Sequence, residues 1–209
     1  MKKLYCLFTV LACAVAAMAQ TPEEILSRME TEMDKHEQEG LVMTVDTKIP
    51  ILGTMSIKTY ALGDKLRMES EMMGVRIVTW TDGETEWTYE SKSNKIEIKY
   101  ADASTTEDSG DAEMFNGIAD GYDVTIAKET ADAWHLLCKK SRANQDKDAP
   151  KRMDLVVAKG TYLPISLKAK VSGVTMTIRD LSFGVTVDQV TFDINKYPEA
   201  TVEDKRESL

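Results

Sequence analysis

Few residues of this chain have the type and spacing that catalysis or metal binding requires. The two histidines are far apart: His36 falls in a helical pattern, and His135 stands beside Trp134 in a strand-like run. Neither belongs to an H-x-x-x-H pair, and the sequence has no G-x-S-x-G nucleophile motif and no glycine-rich phosphate loop. The sequence therefore predicts a protein that is not an enzyme and that needs no metal or cofactor.

Carboxylates are numerous, but their placement indicates that most of them face water and take no part in catalysis or metal binding. Most of them alternate with apolar residues in strand-like runs and so belong to water-facing sides. Asp108, Asp111 and Glu113 stand close together but miss the spacing of an EF-hand loop, which favours a solvated acidic loop. A carboxylate pair that meets only in the folded chain would make a hydrolase, and this stays open as the third hypothesis.

The apolar residues are more informative than the polar ones. The chain has 12 methionines and only four phenylalanines. Methionine is flexible and polarizable, which suits a surface that adapts to varied apolar ligands. The alternative is a packed core in which methionines only fill gaps. The methionines on predicted apolar faces are Met43, Met55, Met68, Met72 and Met176.

Residues 1–19 have the pattern of a cleavable signal peptide. Lys2 and Lys3 precede an uncharged apolar stretch, and Ala17-Met18-Ala19 fits a signal-peptidase site. The stretch is shorter than the ~20 residues of a membrane-spanning helix. The alternative is a lipobox at Val10-Leu11-Ala12-Cys13, with a lipid on Cys13. Apolar residues follow Cys13 where a polar tether is expected, so cleavage after Ala19 is favoured.

Cleavage leaves residues 20–209 as a single domain located in the periplasm. Two lysines are lost and no acidic residue, so the net charge changes from −9 to −11. This acidic balance argues against nucleic acid and anionic lipid surfaces as partners. Cys6 and Cys13 leave with the signal, so no intramolecular disulfide can form. Cys138 is predicted to be a small buried apolar residue rather than a nucleophile.

One amphipathic helix is predicted over residues 21–39. Thr21 and Glu24 have the spacing of a capping box, Pro22 suits the first helical position, and Gly40 is a natural stop. The apolar stripe that must lie against another element consists of Ile25, Leu26, Met29 and Met33.

From residue 41 onward the hydrophobic period changes to two, which indicates antiparallel strands with one dry and one wet face. The alternation is clearest around Leu66, Trp87 and Ile98 and in the run 163–171. The predicted apolar side of that run consists of Leu163, Ile165, Leu167, Ala169 and Val171. Weaker strands are predicted at 41–47, 54–60, 75–81, 122–128, 133–139, 151–158, 174–181 and 189–193. The remaining segments are a short helix near Met114 to Ile118, polar loops at 102–113 and 144–149, and a charged tail at 200–209.

About ten such strands make a wide sheet whose dry face must be covered. Two packed sheets would cover it, and the chain would then be a β-sandwich interaction module. A curved sheet covered by helices would instead enclose an apolar cavity. The predicted fold class is mainly β: a strongly curved antiparallel sheet that forms a half-open, incomplete barrel, covered by the N-terminal helix and the short helical insert.

Several segments resemble the periplasmic carriers of outer-membrane lipoproteins, the LolA-like family. The most specific runs from Thr81 to Tyr89 as T-D-G-E-T-E-W-T-Y, similar to the family's S-D-G-K-T-L-W-x-Y hairpin. The segment 53–69 is similar to the family's G-x-L-x-V-K … K-F-R-W pattern. Two late segments are similar to its closing strands, namely Leu163-Pro164 and V-T-F-D at 190–193. The basic residue that the family has near its lid finds no arginine match here, where the stretch is Lys58-Thr59-Tyr60.

The resemblance implies a half-open barrel whose apolar cavity holds the acyl chains of a lipoprotein on its way to the outer membrane. The implied partners are acylated lipoproteins or other lipids, and the inner- and outer-membrane lipoprotein-sorting proteins, with the carrier itself a monomer. The alternative is a β-rich envelope module for protein interaction or lipid sensing that has no transport role.

The predicted ligand-binding residues are chosen from the implied cavity and from the alternation along each strand. The strand alternation predicts that six residues lie on one apolar face: Leu66, Met68, Ile77, Trp87, Tyr89 and Ile98. Phe115 is predicted to point into the cavity from a movable lid. The predicted lining is Met43, Ile57, Leu66, Met68, Ile77, Trp87, Tyr89, Ile98, Phe115 and Ile118.

Overall fold

The computed structural model describes residues 20–51, 53–102, 115, 117–171 and 173–206. The predicted signal peptide, Met114 and most of the predicted acidic loop 102–113 lie outside the described residues. In the described part of the chain, no helix is long and apolar enough to cross a membrane.

The first helix, α1, spans Pro22–Lys35 and begins as the capping box predicts. The backbone N–H of Glu24 donates to Thr21 Oγ1 at 3.2 Å, and the Thr21 N–H donates to the Glu24 carboxylate at 3.3 Å. A 3-10 turn, Glu37–Glu39, follows the helix and ends at Gly40. The predicted apolar stripe is confirmed, because its four side chains have no exposed surface.

Gly40 joins the helix to the sheet at a point that has no room for a Cβ atom. Such an atom would lie 2.5 Å from the carbonyl oxygen of Ala61 and 2.8 Å from Cβ of Val185, and φ is +71°. We expect Gly40→Ala to lower the free energy of unfolding by at least about 2 kcal/mol, since backbone strain and overpacking add. Gly63→Ala is the control, because φ there is +59° with no atom within 4 Å, and it should cost about 1 kcal/mol. Equal losses in urea denaturation would contradict the steric explanation.

In the described residues, the chain after Gly40 includes one sheet of twelve strands, two short α-helices and a 3-10 turn at Ile194–Lys196. The strands are β1 (Leu41–Ile49), β2 (Gly53–Leu62), β3 (Lys65–Met72), β4 (Val75–Thr81), β5 (Thr85–Glu90), β6 (Lys95–Tyr100), β7 (Tyr122–Glu129), β8 (Ala133–Lys140), β9 (Arg152–Ala158), β10 (Pro164–Val171), β11 (Val174–Phe183) and β12 (Thr201–Asp204). The helices are α2 (Ile118–Gly121) and α3 (Val187–Val190).

The strand order is β12-β6-β5-β4-β3-β2-β1-β11-β10-β9-β8-β7, and β7 and β12 are the unpaired edges. All neighbours are antiparallel except β12 and β6, which are parallel. The sheet is therefore open and curved, with α1 laid across one face. The predicted fold class, a half-open antiparallel barrel with a helical cover, is confirmed.

Most strand predictions are confirmed within two residues at each end, but the C-terminal region differs. Residues 189–193 are not a strand: α3 covers 187–190, begun by a capping box between Thr186 and Gln189. The predicted charged tail contains β12, which extends the sheet at β6. Lys205 Nζ lies 2.6 Å from a carboxylate oxygen of Glu97, so charges that look solvated in sequence form cross-strand pairs.

Ile165 was predicted on the dry side of its strand, and this is wrong. The register between β10 and β9 shifts between Pro164 and Ser166, which changes the alternation at this point. Pro164 and Leu167 are consequently buried, whereas Ile165 is exposed.

The main core lies between α1 and one face of the sheet, which we call the inner face. It is formed by α1 together with apolar side chains of β1 and of β7 to β11. Cys138 is fully buried there, as predicted.

The opposite, outer face has its own apolar cluster at β4 and β5. The Trp87 ring stacks on Phe192 with centroids 5.4 Å apart, and Trp80 meets the same ring edge-on at 5.4 Å. Tyr89 and Tyr197 lie 4.4 Å apart. The segment that follows α3 therefore covers this part of the outer face.

Candidate functional site

The register of the sheet shows which predicted cavity residues share a face, because directly opposed residues point to the same side. Met43 of the main core is opposite Thr59, and Thr59 is opposite Met68. The same parity places Ile57, Leu66 and, across β3 and β4, Ile77 on the inner face. Five predicted residues thus follow one face from β1 to β4.

Trp87, Tyr89 and Ile98 lie on the outer face instead. Trp87 is opposite both Trp80 and Ile98, and Trp80 is opposite Arg67, whose side chain is on the other side from Leu66 and Met68. The prediction that the six residues from Leu66 to Ile98 share one face is therefore wrong. Apolar character alone does not reveal the face, since the segment after α3 makes the outer face apolar here.

The inner face changes character where β5 begins. At β5 and β6 it carries alternating charges, and Lys99 Nζ lies 3.2 Å from a carboxylate oxygen of Glu86. A polar cleft of about 330 Å³ lies over this part. Its lining consists of Glu86, Thr88, Glu90, Ser93, Lys95, Glu97 and Lys99. The apolar part of the inner face therefore ends at β4.

Phe115 and Ile118 belong to the main core. The Phe115 side chain has no exposed surface and Ile118 has 3%. Both pack in the same cluster as the buried stripe of α1, and α1 also contacts α2 and β7. The described part of the insert is thus built into the packed core, where a movable lid was predicted.

An open apolar groove of about 400 Å³ continues the inner face beyond this core. Strands β9, β10 and β11 form its floor with Met153, Leu167, Ala169, Val171, Met176 and Ile178. Ile118 and Tyr122 stand on one side, and the loop that contains Asn144, Asp146, Ala149 and Pro150 on the other. Met176 is 38% exposed. An apolar chain could therefore enter without unfolding of the core.

The loop beside the groove is held by its own hydrogen bonds. Asn144 Nδ2 donates to the carbonyl oxygen of Gly121 at 3.3 Å, and the Asp146 N–H donates to Asn144 Oδ1 at 3.0 Å. The Ser141 N–H donates to the same Gly121 carbonyl at 3.1 Å. These bonds tie the loop to α2, so the groove is formed before any ligand arrives.

Electrostatics at the groove follow from burial. Burial raises the pKa of the Tyr122 hydroxyl, and the nearby Asp146 carboxylate raises it further. Tyr122 therefore stays neutral at physiological pH and presents an apolar ring with one polar atom to the groove.

Cys138, beneath this region, should be chemically silent in the folded protein. Burial, followed by the charge of Asp154, raises the pKa of its thiol to about 11. We expect no reaction with a thiol reagent at pH 8 in the native state and one equivalent in urea, since only the thiolate reacts. Fast reaction of the native mature protein would contradict this burial.

The polar residues that the sequence pointed to, His36 and Lys58, each contact nearby side chains and do not come together in one site. The His36 ring stacks on Phe183 at 4.4 Å, and its Nδ1 lies 3.1 Å from a Glu39 carboxylate oxygen. Lys58 is exposed on the outer face over the Tyr60 ring, 5.1 Å from its centroid, and so points away from the groove. Among the described residues, no three His, Cys, Asp or Glu side chains are placed to hold a metal ion.

Most of the groove lining was missed from the sequence. Met176 was noted among the apolar methionines, and Leu167, Ala169 and Val171 were recognised as the apolar side of one strand. Nothing in their spacing distinguishes a groove from a packed core, because the difference depends on where α1 crosses the sheet and where the loop 141–151 lies.

Comparison with known proteins defines the class at the level of fold. No family model matches the chain, and no curated protein matches it either. Among solved structures, the lipoprotein LppX of Mycobacterium tuberculosis is similar over 80% of this chain and 98% of its own, with 10% identity and a TM-score of 0.52. The chain therefore has a LolA-like fold, as the resemblance in sequence led us to expect.

Two further solved structures match more loosely. An uncharacterized conserved protein of Thermus thermophilus is matched over 88% of this chain and 98% of its own, with 17% identity and a TM-score of 0.46. A LolA superfamily protein of Nitrosomonas europaea is matched over 85% and 100%, with 12% identity and a TM-score of 0.33.

Proposed function

We propose that this protein is a periplasmic carrier or chaperone that binds acyl chains in the apolar groove of its inner face and conveys acylated lipoproteins towards the outer membrane. The groove is the observation that carries the proposal. Its volume of about 400 Å³ is within the range of small-molecule sites, ~300–1,000 Å³, and such sites are mostly apolar with few polar groups.

Three features support acyl binding over a fully packed module. The floor of the groove is apolar, its side chains include the adaptable Met153 and Met176, and the surrounding loop is already ordered. The inner face also remains apolar across β2 to β4, where Ile57, Met68 and Ile77 are only partly buried. A ligand longer than the groove therefore has further apolar surface along the same face.

Two things support the proposed transport role, the fold and the predicted export signal. A LolA-like fold suits a carrier of lipidated cargo, and an acyl chain in water needs an apolar enclosure to cross the periplasm. On this proposal, residues 1–19 are removed on export, the mature chain is one monomeric domain, and sorting proteins at the two membranes deliver and receive the cargo.

Filling the groove tests the proposal directly. We expect Met176→Trp to weaken binding of a fluorescent fatty acid at least about tenfold, which is ~1.4 kcal/mol, because the larger side chain occupies the space of the acyl chain. The unfolding midpoint should change little, since Met176 is partly exposed. Binding is measured by titration with the probe, and unfolding by circular dichroism.

The matched control is Thr177→Trp, which adds a similar ring to the next residue on the outer face. Thr177 is opposite Asp46 and Lys168, away from the groove, so affinity for the probe should be unchanged. A wild-type protein that never binds the probe, or a Met176→Trp variant that binds it as before, would refute acyl binding in this groove.

One observation favours the alternative of an envelope interaction module. Ile51, at the tip of the β1–β2 hairpin, is fully exposed, and Met73, at the tip of the β3–β4 hairpin, is 92% exposed. The two hairpins are neighbours in the sheet. Exposed apolar groups at neighbouring hairpin tips would suit a contact surface, and absence of acyl binding would make this the better function.

A further inference from the structure

A row of basic side chains crosses the outer face of the sheet near one end of the strands. Lys139 of β8 is opposite Arg152 of β9, and the antiparallel register of β9 and β10 puts Arg152 opposite Lys170. Thr175 of β11 is opposite both Lys170 and Lys48 of β1. At a strand spacing of about 4.8 Å, the row extends over about 19 Å. We call Lys48, Lys139, Arg152 and Lys170 the basic row.

The charge of the basic row is largely unbalanced. Arg152 pairs with Asp154 at 2.8 Å. In the part of the chain that the structure describes, the three lysines of the row are exposed and have no carboxylate partner, although Asp123 is opposite Lys139 in the register. Like charges that are directly opposite destabilise a sheet. The chain has more acidic than basic residues, 35 against 26, so an unbalanced basic row indicates an anionic partner outside the chain.

Apolar side chains project beyond the basic row at the same end of the strands, where the β1–β2 and β3–β4 hairpins both turn. Ile51 at the first tip is fully exposed, and Met73 at the second is 92% exposed. Their φ angles are +75° and +53°, a conformation that is unfavourable for residues with a Cβ atom. Lys48 is three residues before Ile51, so this tip lies within about 10 Å of the row.

We propose that this end of the molecule is a docking surface for a membrane that contains anionic phospholipids. The lysines of the basic row contact lipid phosphates, and Ile51 and Met73 insert between the lipids. Apolar groups of interfacial proteins enter a bilayer by ~5–10 Å, and lysine side chains extend to the level of the headgroups. The net negative charge of the chain does not prevent this, because charges beyond about 10 Å are screened at physiological salt.

A lipid surface fits this arrangement better than a protein partner does. A stable protein interface needs about 800 Å² of continuous surface on each partner, with an apolar centre. The two apolar tips belong to separate hairpins, and the basic row lies beside them on the outer face. A fluid bilayer adapts to such separated contacts. This inference goes beyond the proposed function, because docking requires no ligand in the apolar groove.

Vesicle co-sedimentation of the mature protein tests the basic row. We expect binding to vesicles of phosphatidylcholine mixed with phosphatidylglycerol to be at least about tenfold tighter than to phosphatidylcholine alone, with a difference that shrinks as salt is raised. The variant K139Q/K170Q should lose most of this preference. The matched control K65Q/K128Q removes two lysines at the opposite end of the strands and should keep it.

A second pair of variants tests the apolar tips. I51S/M73S should weaken binding to the mixed vesicles at least about tenfold, and at every salt concentration, because burial of apolar groups is not screened. The control I165S/V187S changes two apolar residues that are 46% and 56% exposed elsewhere on the surface, and should bind as the wild type does. Unchanged binding of I51S/M73S would overturn insertion of the tips.

The remaining outcomes separate membrane docking from other partners and from the proposed function. Equal binding to neutral and mixed vesicles would overturn the docking surface, as would an equal loss of preference in the two lysine variants. Soluble poly-glutamate that binds through the same lysines as tightly as the vesicles would refute it in favour of an acidic protein. A protein that binds the fatty-acid probe but no vesicles would refute docking alone, whereas one that binds vesicles but no probe would refute only acyl binding.

Discussion

Phe115→Ala should lower the free energy of unfolding by about 3–5 kcal/mol, the usual cost of deleting a buried aromatic ring. The Phe115 side chain has no exposed surface and packs in one cluster with Leu26, Met29 and Met33 of α1. The truncation would leave a cavity beneath the helix, which the surrounding sheet cannot close. Chemical denaturation of the mature protein measures the loss.

The control for this prediction is Ile165→Ala, which removes an apolar side chain that is 46% exposed and should cost under about 1 kcal/mol. The result also discriminates between the packed core and the movable lid predicted from the sequence. A Phe115→Ala protein that keeps its stability but loses affinity for the fatty-acid probe would show that Phe115 is a lid residue after all.

Trp87→Ala should cost about 3 kcal/mol of unfolding free energy and leave binding of the fatty-acid probe unchanged. Trp87 stacks on Phe192 at 5.4 Å on the outer face, opposite the groove. Its ring fixes the segment after α3 to the sheet, so the loss should appear in stability and in faster proteolysis of that segment.

Tyr100→Ala is the matched control, because Tyr100 lies on the outer face of the neighbouring strand but is 60% exposed. Its effect on stability should be small. If Trp87→Ala instead abolished probe binding without loss of stability, Trp87 would be a ligand-binding residue as the sequence suggested, and the outer face would be the site.

Local structure was determined by the sequence to a large extent. The capping box at Thr21 and Glu24, the stripe of α1 and the stop at Gly40 all depend on residues within one or two helical turns. The alternation in β3, β5 and β6 depends on the period of the strand itself, and Cys138 is buried because it sits on the apolar side of such a run. Interactions of this range are visible in the spacing of residues.

The relation between distant elements was decided by tertiary structure. Within a strand, alternation shows that Met68 or Trp87 points to the other side from the residues before and after it. It does not show that Met68 and Trp87 point to different faces of the sheet, because the relation between two strands depends on their register. The bulge near Ile165 and the pairing of β12 with β6 are likewise set by long-range contacts. The groove exists because α1 crosses the other end of these strands, near Tyr162 and Phe183, and because a loop 23 residues beyond Gly121 bonds back to it through Asn144. Such closures join residues that are far apart in the chain, and no local pattern encodes them.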